Sequence, residues 1–600
     1  MSDHAAGGDV DERAARLCAQ LSLDEKIDLL SGDTPFWPGL IEMVGEGYNL
    51  TPYVAGANER LGIDGIRFTD GPRGVTVGHS TCFPVAMARG ATFDPDLEER
   101  VGDAIGREAR AQGANLFAGV CVNLLRHPAW GRAQETYGED PDHVAAMGAA
   151  LVRGVQRHVM ACVKHFACNS IEDARFRVDV EVDGDVLREV YLAPFARIVR
   201  EGVAAVMAAY NSVNGEWCGQ NHELLTTILR DEWGFEGFVM SDFMFGLRDS
   251  AAAINAGLDL EMPFAMIHDA HLADACHRGE VDEATIDTAV RRLLRTQLAF
   301  AEPTGTPEDY GPEVVGCAAH RALAREVATR SIVLLRNEPV DGSSVLPLDP
   351  QALTRLAVIG HLAAIPNTGD HGSSAVRPTD VVTPLQGLRA ALAPHGAVVD
   401  HDDGADPAAA ATMAAGADAV LVVVGYTHDD EGENVGDIPA ELVALFPPMP
   451  DELAPDVAAA FARRDDGGGG IGQGGDRRSL RLRADDEALI EAVAAANDRV
   501  VVVLMCASAV LMHTWQQLVP GIVILWYPGM EGGHALADIV LGHAAPTGRL
   551  PFAIPASAEH LPPFDPNATQ ITYGPLFGQK LLDHLGVEAA YAFGFGLTYP

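Results

Sequence analysis

Two apolar stretches decide the fold: AAVMAAYN at residues 204–211 and GFVMSD at residues 237–242. Each is a short run of apolar residues that ends in polar ones, which is typical of a buried strand. Four further runs share this pattern and alternate with helix-like stretches: IRFTD (66–70), LFAGVCVN (116–123), ACVKHF (161–166) and LDLEM (258–262). Repeated β-α units of this kind predict a (β/α)8 barrel, whose strands end at one functional rim.

The polar residues that end these runs are candidates for one shared site. They are Asp70, Asn123, Lys164 with His165, Tyr210 with Asn211, Asp242 and Glu261. Any one of them could instead cap a helix, as Ser241 and Asp242 could before FMFGL. Six such strand ends together favour one catalytic or binding site at the rim of the barrel.

A second α/β unit follows a stretch rich in proline, glycine and acidic residues. We expect the barrel to span residues 1–300, a linker 301–320, and a parallel α/β layer structure with a C-terminal tail 321–600. In the second unit the apolar runs RLAVIG, DAVLVVVG, RVVVVLM and GIVILWY alternate with Ala-rich helical stretches, and they are too few for another barrel. Residues 433–475 form an inserted loop with many prolines and the run GGGGIGQGG.

Composition and charge narrow the classes of function. Acidic residues outnumber basic ones 84 to 42, and the formal charge of −42 would repel nucleic acid and anionic membrane surfaces, so neither partner is expected. The nine cysteines form no C-x-x-C pair and are expected to be reduced core residues. The N-terminus lacks the apolar core of a signal peptide, so we expect a cytoplasmic protein. A homo-oligomer is compatible with the sequence.

The common catalytic motifs are missing from the sequence. The glycine run contains G-x-G-x-x-G, but no strand precedes it, and there is no G-x-S-x-G elbow, H-E-x-x-H pair or Walker lysine. The chemistry is therefore expected to depend on carboxylates. Lys164 and His165 are suited to holding hydroxyl groups and to keeping a nearby carboxylate ionised, with a structural salt bridge as the alternative.

Longer segments of the chain resemble glycoside hydrolase family 3, the β-glucosidase-like enzymes. FTDGPRGV, KHFACNS, VMAAYNSVNGEWCGQN and ILRDEWGFEGFVMSD follow the order of the family's first domain, and WYPGMEGGHALADIVLG, GRLPF and FGFGLTY follow its second. The resemblance implies a (β/α)8 barrel followed by an α/β sandwich, with the active site at their junction. It also implies catalysis by two carboxylates, with no metal and no cofactor.

The resemblance assigns roles to single residues. Asp242 of GFVMSD matches the catalytic nucleophile that forms the glycosyl-enzyme. Arg132 and Glu135 match a segment that would support the site, and Arg73 and Arg175 are further candidates. The residues that match the sugar-binding pocket are Asp70, Arg126, Lys164, His165 and Tyr210.

The general acid/base lies in a loop that differs from the family's compact form. The Glu-Gly pair at 431–432 follows the strand DAVLVVVG, but the matching Asp-Arg pair at 476–477 comes only about forty residues later. We predict Glu431 as the acid/base, with Glu433 and Asp430 as competitors. Two carboxylates about 5–5.5 Å apart would give retention of configuration.

The predicted activity is that of a retaining exo-β-glycosidase, foremost a β-glucosidase, acting on oligosaccharides or small aryl and natural-product glycosides. Asp70, as a partner for the 6-hydroxyl, favours glucose. A β-xylosidase or other pentosidase on the same scaffold and a non-catalytic sugar-binding relative are the alternatives. Phe243 stands where the family commonly has Trp, which leaves the preference for the leaving group open.

Two loops of the second domain are expected to reach the site. One carries His371, Ser373 and Ser374, with a surface turn as the alternative. The other is the insertion 433–475, which we expect to form a lid over the leaving-group side, with a disordered surface insertion as the alternative. Its apolar residues Leu442, Leu445, Phe446 and Met449 favour the lid.

Overall fold

The computed structural model describes residues 4–302, 304–436, 438–465 and 474–599, and a six-stranded sheet organises its first half. The first pair of strands is antiparallel and the other pairs are parallel. Five of the six predicted runs form neighbouring strands of this sheet. In order across the sheet, the strands are Tyr53–Ala55, Ile66–Thr69, Leu116–Cys121, Met160–Phe166, Ala205–Ala208 and Phe238–Met240.

Isolated bridges continue the curl of this sheet from its last strand back to its first. Leu260, in the sixth predicted run, pairs in parallel with Met240. Ala265 then pairs with Pro35, and Gly32 pairs with the strand Tyr53–Ala55. The predicted TIM-like barrel is confirmed. It includes one antiparallel strand, Tyr53–Ala55, which is too short to show a periodicity in the sequence.

Helices surround the curled sheet, and two of them start at Asp-Pro pairs. Asp94 accepts a hydrogen bond from Leu97 N at 3.0 Å, and Asp140 accepts one from His143 N at 3.0 Å. An acidic N-cap followed by proline satisfies a free backbone N–H and presets the first turn. The α-helices of this half are His4–Cys18, Leu23–Asp28, Phe36–Gly45, Ala86–Gly90, Pro95–Ala111, Pro141–Val155, Gly184–Val186, Ala193–Arg200, Ser250–Ala256, Ile267–His277 and Glu283–Ala299. Leu187–Tyr191 and Glu223–Glu232 are π-helical, and Glu59–Leu61, Ala133–Glu135 and Cys218–Gln220 are 3-10 turns.

A second six-stranded sheet organises the later half of the chain. All four predicted runs form parallel strands in it, and Val333–Asn337 adds an antiparallel edge. The central strand Ala419–Gly425 is buried on both faces, because its alternating side chains join two different apolar clusters. The predicted α/β sandwich is therefore confirmed. Across the sheet the strands are Val333–Asn337, Gly521–Ile524, Val500–Met505, Ala419–Gly425, Arg355–Ile359 and Val398–Asp402.

The remaining elements connect and cover these two sheets. The later α-helices are Ala318–Ser331, Pro384–Leu392, Pro407–Ala415, Ala440–Val443, Ala454–Asp465, Ala484–Ala496, Gly532–Val540 and Gly578–Leu585. Short 3-10 turns occur at Pro307–Tyr310, Pro312–Val314, His361–Ala363, Ala393–His395 and Ala558–His560. Small strand pairs are Pro339–Val340 with Ser343–Ser344, and Ile554–Pro555 with Ala589–Tyr591. The proposed boundaries at residues 300 and 320 stay predictions.

The C-terminal segment returns to the first domain. Its strand Gln570–Tyr573 pairs in parallel with Asp179–Val182, in a small sheet completed by Ser212–Val213 and Glu216–Trp217. This sheet ties the end of the chain to the barrel loops beside the rim. Among the described residues, no helix combines the length and the apolar character needed to cross a membrane.

Candidate active site

A pocket lies at the carboxyl ends of the barrel strands, where the second domain meets the rim. Five of the seven predicted site residues line it: Asp70, Lys164, His165, Tyr210 and Asp242. The first domain adds Arg132 and Arg175, and the second domain adds Ser373, Glu433 and Val435. The rest of the lining is Met43, Tyr48, Phe176, Met207, Phe243, Met244 and Phe245.

One end of the pocket is a buried ion pair between Asp70 and Lys164. Asp70 Oδ1 lies 2.7 Å from Lys164 Nζ, and Asp70 Oδ2 accepts a hydrogen bond from the Tyr48 hydroxyl at 2.9 Å. Burial alone would lower the pKa of Lys164, but Asp70 and Glu135 raise it above its ordinary value, so the ammonium group is charged. Charged donors and acceptors in this arrangement are suited to bind neighbouring hydroxyls. Tyr48 was not predicted from sequence, because it follows a helix rather than a strand and matches no motif.

Asp242 follows the strand Phe238–Met240 and presents one free oxygen to the pocket. Its Oδ1 accepts a hydrogen bond from Phe243 N at 2.8 Å, whereas Oδ2 is buried without a hydrogen-bond donor among the described residues. Burial raises the pKa of Asp242 to about 6, opposed by the charges of Arg132, Arg175 and Lys164. A desolvated oxygen with no partner is what a nucleophile needs.

His165 lies beside this oxygen, with Nε2 at 3.8 Å from Asp242 Oδ2. Burial, with the neighbouring charges of Arg132, Lys164 and Arg175, holds the pKa of His165 well below its usual range. The imidazole is therefore neutral and serves as a hydrogen-bonding group rather than as a cation. Asn123 supports it, because the Asn123 side chain contacts both the N–H and the C=O of His165 at 2.8 Å.

The loop after Asp242 turns back sharply on that residue. Met244 has a φ of +61°, in the left-handed region that non-glycine residues rarely adopt. A Cβ on Gly246 would lie 2.6 Å from the backbone N and O of Asp242, so only glycine permits this close approach. The tight turn brings Phe243, Met244 and Phe245 into the pocket wall.

Glu433 is the acidic residue of the second domain that lines the pocket. Its Oε1 lies 2.9 Å from Arg175 Nη1 and 3.8 Å from Arg132 Nη1, and its Oε2 accepts a hydrogen bond from Ser373 N at 2.6 Å. Burial acts to raise the pKa of Glu433, but the charges of Arg132 and Arg175 outweigh it and hold the pKa well below its usual range. Glu433 is therefore ionised in the substrate-free site.

Asp370 fixes the backbone of Glu433 through a buried hydrogen bond. Its Oδ1 accepts a hydrogen bond from Glu433 N at 3.0 Å, and its Oδ2 accepts bonds from Gly372 N and the Ser374 hydroxyl, each at 2.9 Å. One buried carboxylate thus joins the loop 370–374 to the loop that carries Glu433. Asp370 was not among the site residues predicted from sequence.

The prediction of Glu431 as the acid/base does not fit its position. Glu431 is fully buried outside the pocket, where its Oε1 accepts hydrogen bonds from Tyr527 OH at 2.6 Å and Ala507 N at 2.9 Å. Its Oε2 lies 3.1 Å from Arg477 Nε. A carboxylate enclosed in this way cannot reach a leaving group. Asp430 also points elsewhere, to an ion pair with Arg483.

The Glu-Gly pair that drew attention to Glu431 has a packing role. A Cβ on Gly432 would lie 2.3 Å from Asp370 Oδ1, so the chain can cross Asp370 only with glycine at this position. The pair therefore marks a turn, and the acidic residue that enters the pocket is the one after it. Sequence spacing alone could not distinguish the two glutamates, since both flank the same glycine.

Arg126 is the second predicted residue that lies outside the pocket. Its Nη1 donates to Pro563 O at 2.8 Å, and its guanidinium lies 4.4 Å from the centre of the Tyr573 ring. Arg126 thus holds the C-terminal segment against the barrel. The prediction that it binds the sugar does not fit this position. Arg175, a further candidate, lines the pocket instead.

The remaining candidates also include some residues that line the pocket and some that lie outside it. Ser373 lines the pocket, whereas His371 stacks on His428 with ring centres 3.6 Å apart. Arg73 binds Asp370 O and lies behind the site. Arg132 and Glu135 were both predicted only to support the site, but Arg132 lines the pocket itself. Glu135 holds its guanidinium group through contacts of 2.9 and 2.8 Å.

A metal is not indicated by the side chains of the site. Within the described ranges, no three His, Cys, Asp or Glu side chains are grouped so as to hold a metal ion. Asp70 is instead paired with Lys164, and Glu433 with Arg175 and the backbone N–H of Ser373.

Comparison with known proteins agrees with this geometry. The glycosyl hydrolase family 3 N-terminal domain model matches residues 51–296, and the C-terminal domain model matches residues 332–599. Thermostable beta-glucosidase B of Acetivibrio thermocellus is 33% identical, over 97% of this chain and 72% of that protein. Exo-alpha-(1->6)-L-arabinopyranosidase of Bifidobacterium breve is 32% identical, over 96% and 72%.

A solved structure has the same architecture. Beta-glucosidase 3B from Thermotoga neapolitana, in complex with glucose, aligns with a TM-score of 0.81 at 27% identity, over 98% of this chain and 83% of that one. Matches of this extent to both domains show the family. The chain therefore belongs to glycoside hydrolase family 3 and is a glycoside hydrolase.

Proposed function

We propose that this glycoside hydrolase is a retaining β-glucosidase that removes terminal, non-reducing β-D-glucose. One observation carries the proposal: Asp242 and Glu433 line the same pocket as the Asp70–Lys164 ion pair. One carboxylate can attack the anomeric carbon, the other can exchange a proton with the leaving group, and the ion pair can hold hydroxyls. The names of the relatives support glucose as the sugar.

In the first step, Asp242 Oδ2 forms a bond to the anomeric carbon as the bond to the leaving-group oxygen breaks. Glu433 gives its proton to that oxygen, and the sugar remains as an ester of Asp242. In the second step, a water gives a proton to Glu433 and its oxygen displaces Asp242 from the anomeric carbon. Two inversions restore the β configuration.

Glu433 must hold a proton for the first step, although Arg132 and Arg175 favour its ionised form in the substrate-free site. Sugar hydroxyls can accept hydrogen bonds from these guanidinium groups. We expect the contact of 2.9 Å between Glu433 Oε1 and Arg175 to loosen when substrate binds. This change would raise the pKa of Glu433 toward the range of a general acid.

A pentosidase is the second candidate, because the Bifidobacterium relative of almost equal identity is named an arabinopyranosidase. The two candidates differ in the group on carbon 5 of the sugar. A glucosidase has to accommodate a 6-hydroxymethyl group, whose hydroxyl needs a polar partner. Asp70, at the polar end of the pocket, is our candidate partner for it.

The test is product release from matched 4-nitrophenyl glycosides: β-D-glucoside, β-D-xyloside and α-L-arabinopyranoside. We expect the highest kcat/KM for the glucoside, and NMR of the first product should show β-glucose before it mutarotates. Higher kcat/KM for either pentoside would favour the second candidate. Initial release of α-glucose would contradict the double displacement. No turnover of any of the three would favour a non-catalytic sugar-binding protein.

A further inference from the structure

Beyond the guanidinium groups of Arg132 and Arg175 that hold Glu433, the wall of the pocket is aromatic and apolar. Arg175, the ion-pair partner of Glu433, lies with its guanidinium 4.8 Å from the Phe176 ring centre and 4.9 Å from that of Tyr210. Phe176 and Phe245 pack edge to face with ring centres 5.2 Å apart. Both rings line the pocket, together with Val435, two residues after Glu433.

The described part of the insertion packs directly behind this wall. Leu442 is 1% exposed and forms one apolar cluster with Phe176, Tyr210 and Phe245. Phe446 stacks on Phe245 at 5.9 Å and lies 4.7 Å from the ring of Phe36. Through Leu442 and Phe446, the described part of the insertion therefore belongs to the core around the site.

Specific polar contacts hold the insertion in place. Trp37 Nε1 donates to Pro447 O at 3.0 Å. Asn434 N donates to Glu172 Oε1 at 3.1 Å at the start of the insertion, and Asp476 N donates to Asp173 Oδ1 at 3.1 Å at its end. Both ends are thus tied to the barrel loop that also carries Arg175.

This placement has a consequence for the leaving group, and it rests on the proposed function. The leaving-group oxygen must lie within reach of Glu433, so we expect the atoms attached to it to extend along the part of the pocket lined by Val435 and Phe176. Sugar hydroxyls buried against this wall would lose their hydrogen bonds to water, whereas an aromatic or alkyl group would lose none. Ring stacking would favour an aromatic group further.

We propose that the insertion makes this glycosidase selective for aromatic or similarly apolar leaving groups. Val435 lines the leaving-group site, and Leu442 and Phe446 set its shape by holding Phe176 and Phe245. These residues are specificity determinants for compact aryl glucosides over chains of β-linked glucose. Residue 437 and residues 466–473 of the insertion, which include most of the glycine run, lie outside the described residues and have no part in the proposal.

The experiment compares kcat/KM for 2-naphthyl β-glucoside and cellotetraose in the wild type and in Phe446→Ala and Leu442→Ala. The two substrates differ in intrinsic reactivity, but this difference is the same for every variant. It therefore cancels when the ratio of the two kcat/KM values in a variant is compared with the same ratio in the wild type. Phe461→Ala is the matched control, because Phe461 is on the same insertion but 41% exposed. Phe446→Leu is a milder second variant, and thermal unfolding of each variant reports folding.

We expect the naphthyl-to-cellotetraose ratio to fall about tenfold in Phe446→Ala and Leu442→Ala, mainly through KM for the naphthyl substrate. Phe446→Leu should lower it less, and Phe461→Ala should leave it unchanged. A ratio that stays within twofold of the wild type in folded Phe446 and Leu442 variants would overturn the inference, as would an equal change in Phe461→Ala. If the wild type cleaves neither glucoside, the proposed function fails and the inference falls with it.

Discussion

The two halves of the pocket are positioned by different means. On the barrel side, Asp70, Lys164 and Asp242 lie in or directly after parallel strands, so the sheet places them. On the second-domain side, Glu433 and Ser373 lie on loops, and their positions depend on Asp370 and on the barrel residue Arg175. The nucleophile candidate thus belongs to one domain's regular structure, whereas the acid/base candidate is in place only when the two domains are docked.

Replacing Asp242 should have the largest effect. Asp242→Ala removes the proposed nucleophile and should lower kcat for 4-nitrophenyl β-glucoside by ~10⁴-fold or more. Circular dichroism and thermal unfolding should show an intact fold. A 2-fluoro-glucosyl adduct mapped by mass spectrometry to any residue other than Asp242 would contradict the assignment.

Replacing Glu433 tests the acid/base on the second-domain side of the pocket. Glu433→Ala should lower kcat by ~10²–10⁴-fold for glycosides with poor leaving groups and far less for 2,4-dinitrophenyl β-glucoside. Added azide should restore turnover of the activated substrate, because azide attacks the glycosyl-enzyme without a general base. An equal loss for all leaving groups would remove Glu433 from this role.

Replacing Glu431 should lower the stability of the fold rather than impair proton transfer to the leaving group. Glu431→Gln leaves the buried Arg477 without its charged partner, which should lower the free energy of unfolding by about 3–5 kcal/mol. Urea unfolding measures this. The loss of kcat/KM relative to the wild type, for the folded fraction, should be the same for poor and good leaving groups. A larger loss for poor leaving groups in Glu431→Gln would return the acid/base role to Glu431.

The pH profile tests the electrostatics of the barrel half. Asp242 has its pKa raised to about 6, so it is protonated and unable to attack below that pH. We expect kcat/KM for 2,4-dinitrophenyl β-glucoside to fall about tenfold per pH unit below about pH 6. This substrate needs little help from Glu433, so the acid limb reports Asp242. An acid limb near pH 4 would show that Lys164, Arg132 and Arg175 outweigh burial.

The smallest expected effect concerns Asp370, which positions Glu433 through the backbone. Asp370→Asn should lower kcat about tenfold for poor leaving groups and leave activated substrates nearly unchanged, because only proton transfer is disturbed. Ser374→Ala removes one contact of Asp370 and should change kcat by less than about twofold. An equal loss for both substrate types would indicate a general structural role.

The predictions from sequence succeeded where a residue's position follows from local regular structure. Five predicted runs form strands of one sheet, and four of them place Asp70, Lys164, His165, Tyr210 and Asp242 in one pocket. Asn123, at the end of the fifth run, binds the backbone of His165 instead. Arg126 failed although it follows a predicted run, because it lies several residues beyond the strand end in a loop that binds the C-terminal segment. The cytoplasmic location and a homo-oligomeric state stay predictions.

The sequence by itself determined the two α/β layers, the family and the barrel side of the site, because apolar period and strand ends are local properties of the chain. Only the tertiary structure shows that Glu433, and not Glu431, lines the pocket. The two lie on opposite sides of one glycine, and what separates them is contact with distant residues: Tyr527 and Arg477 enclose one, whereas Arg175 and Ser373 hold the other in the pocket. Such contacts join residues far apart along the chain, so no spacing within a motif can encode them.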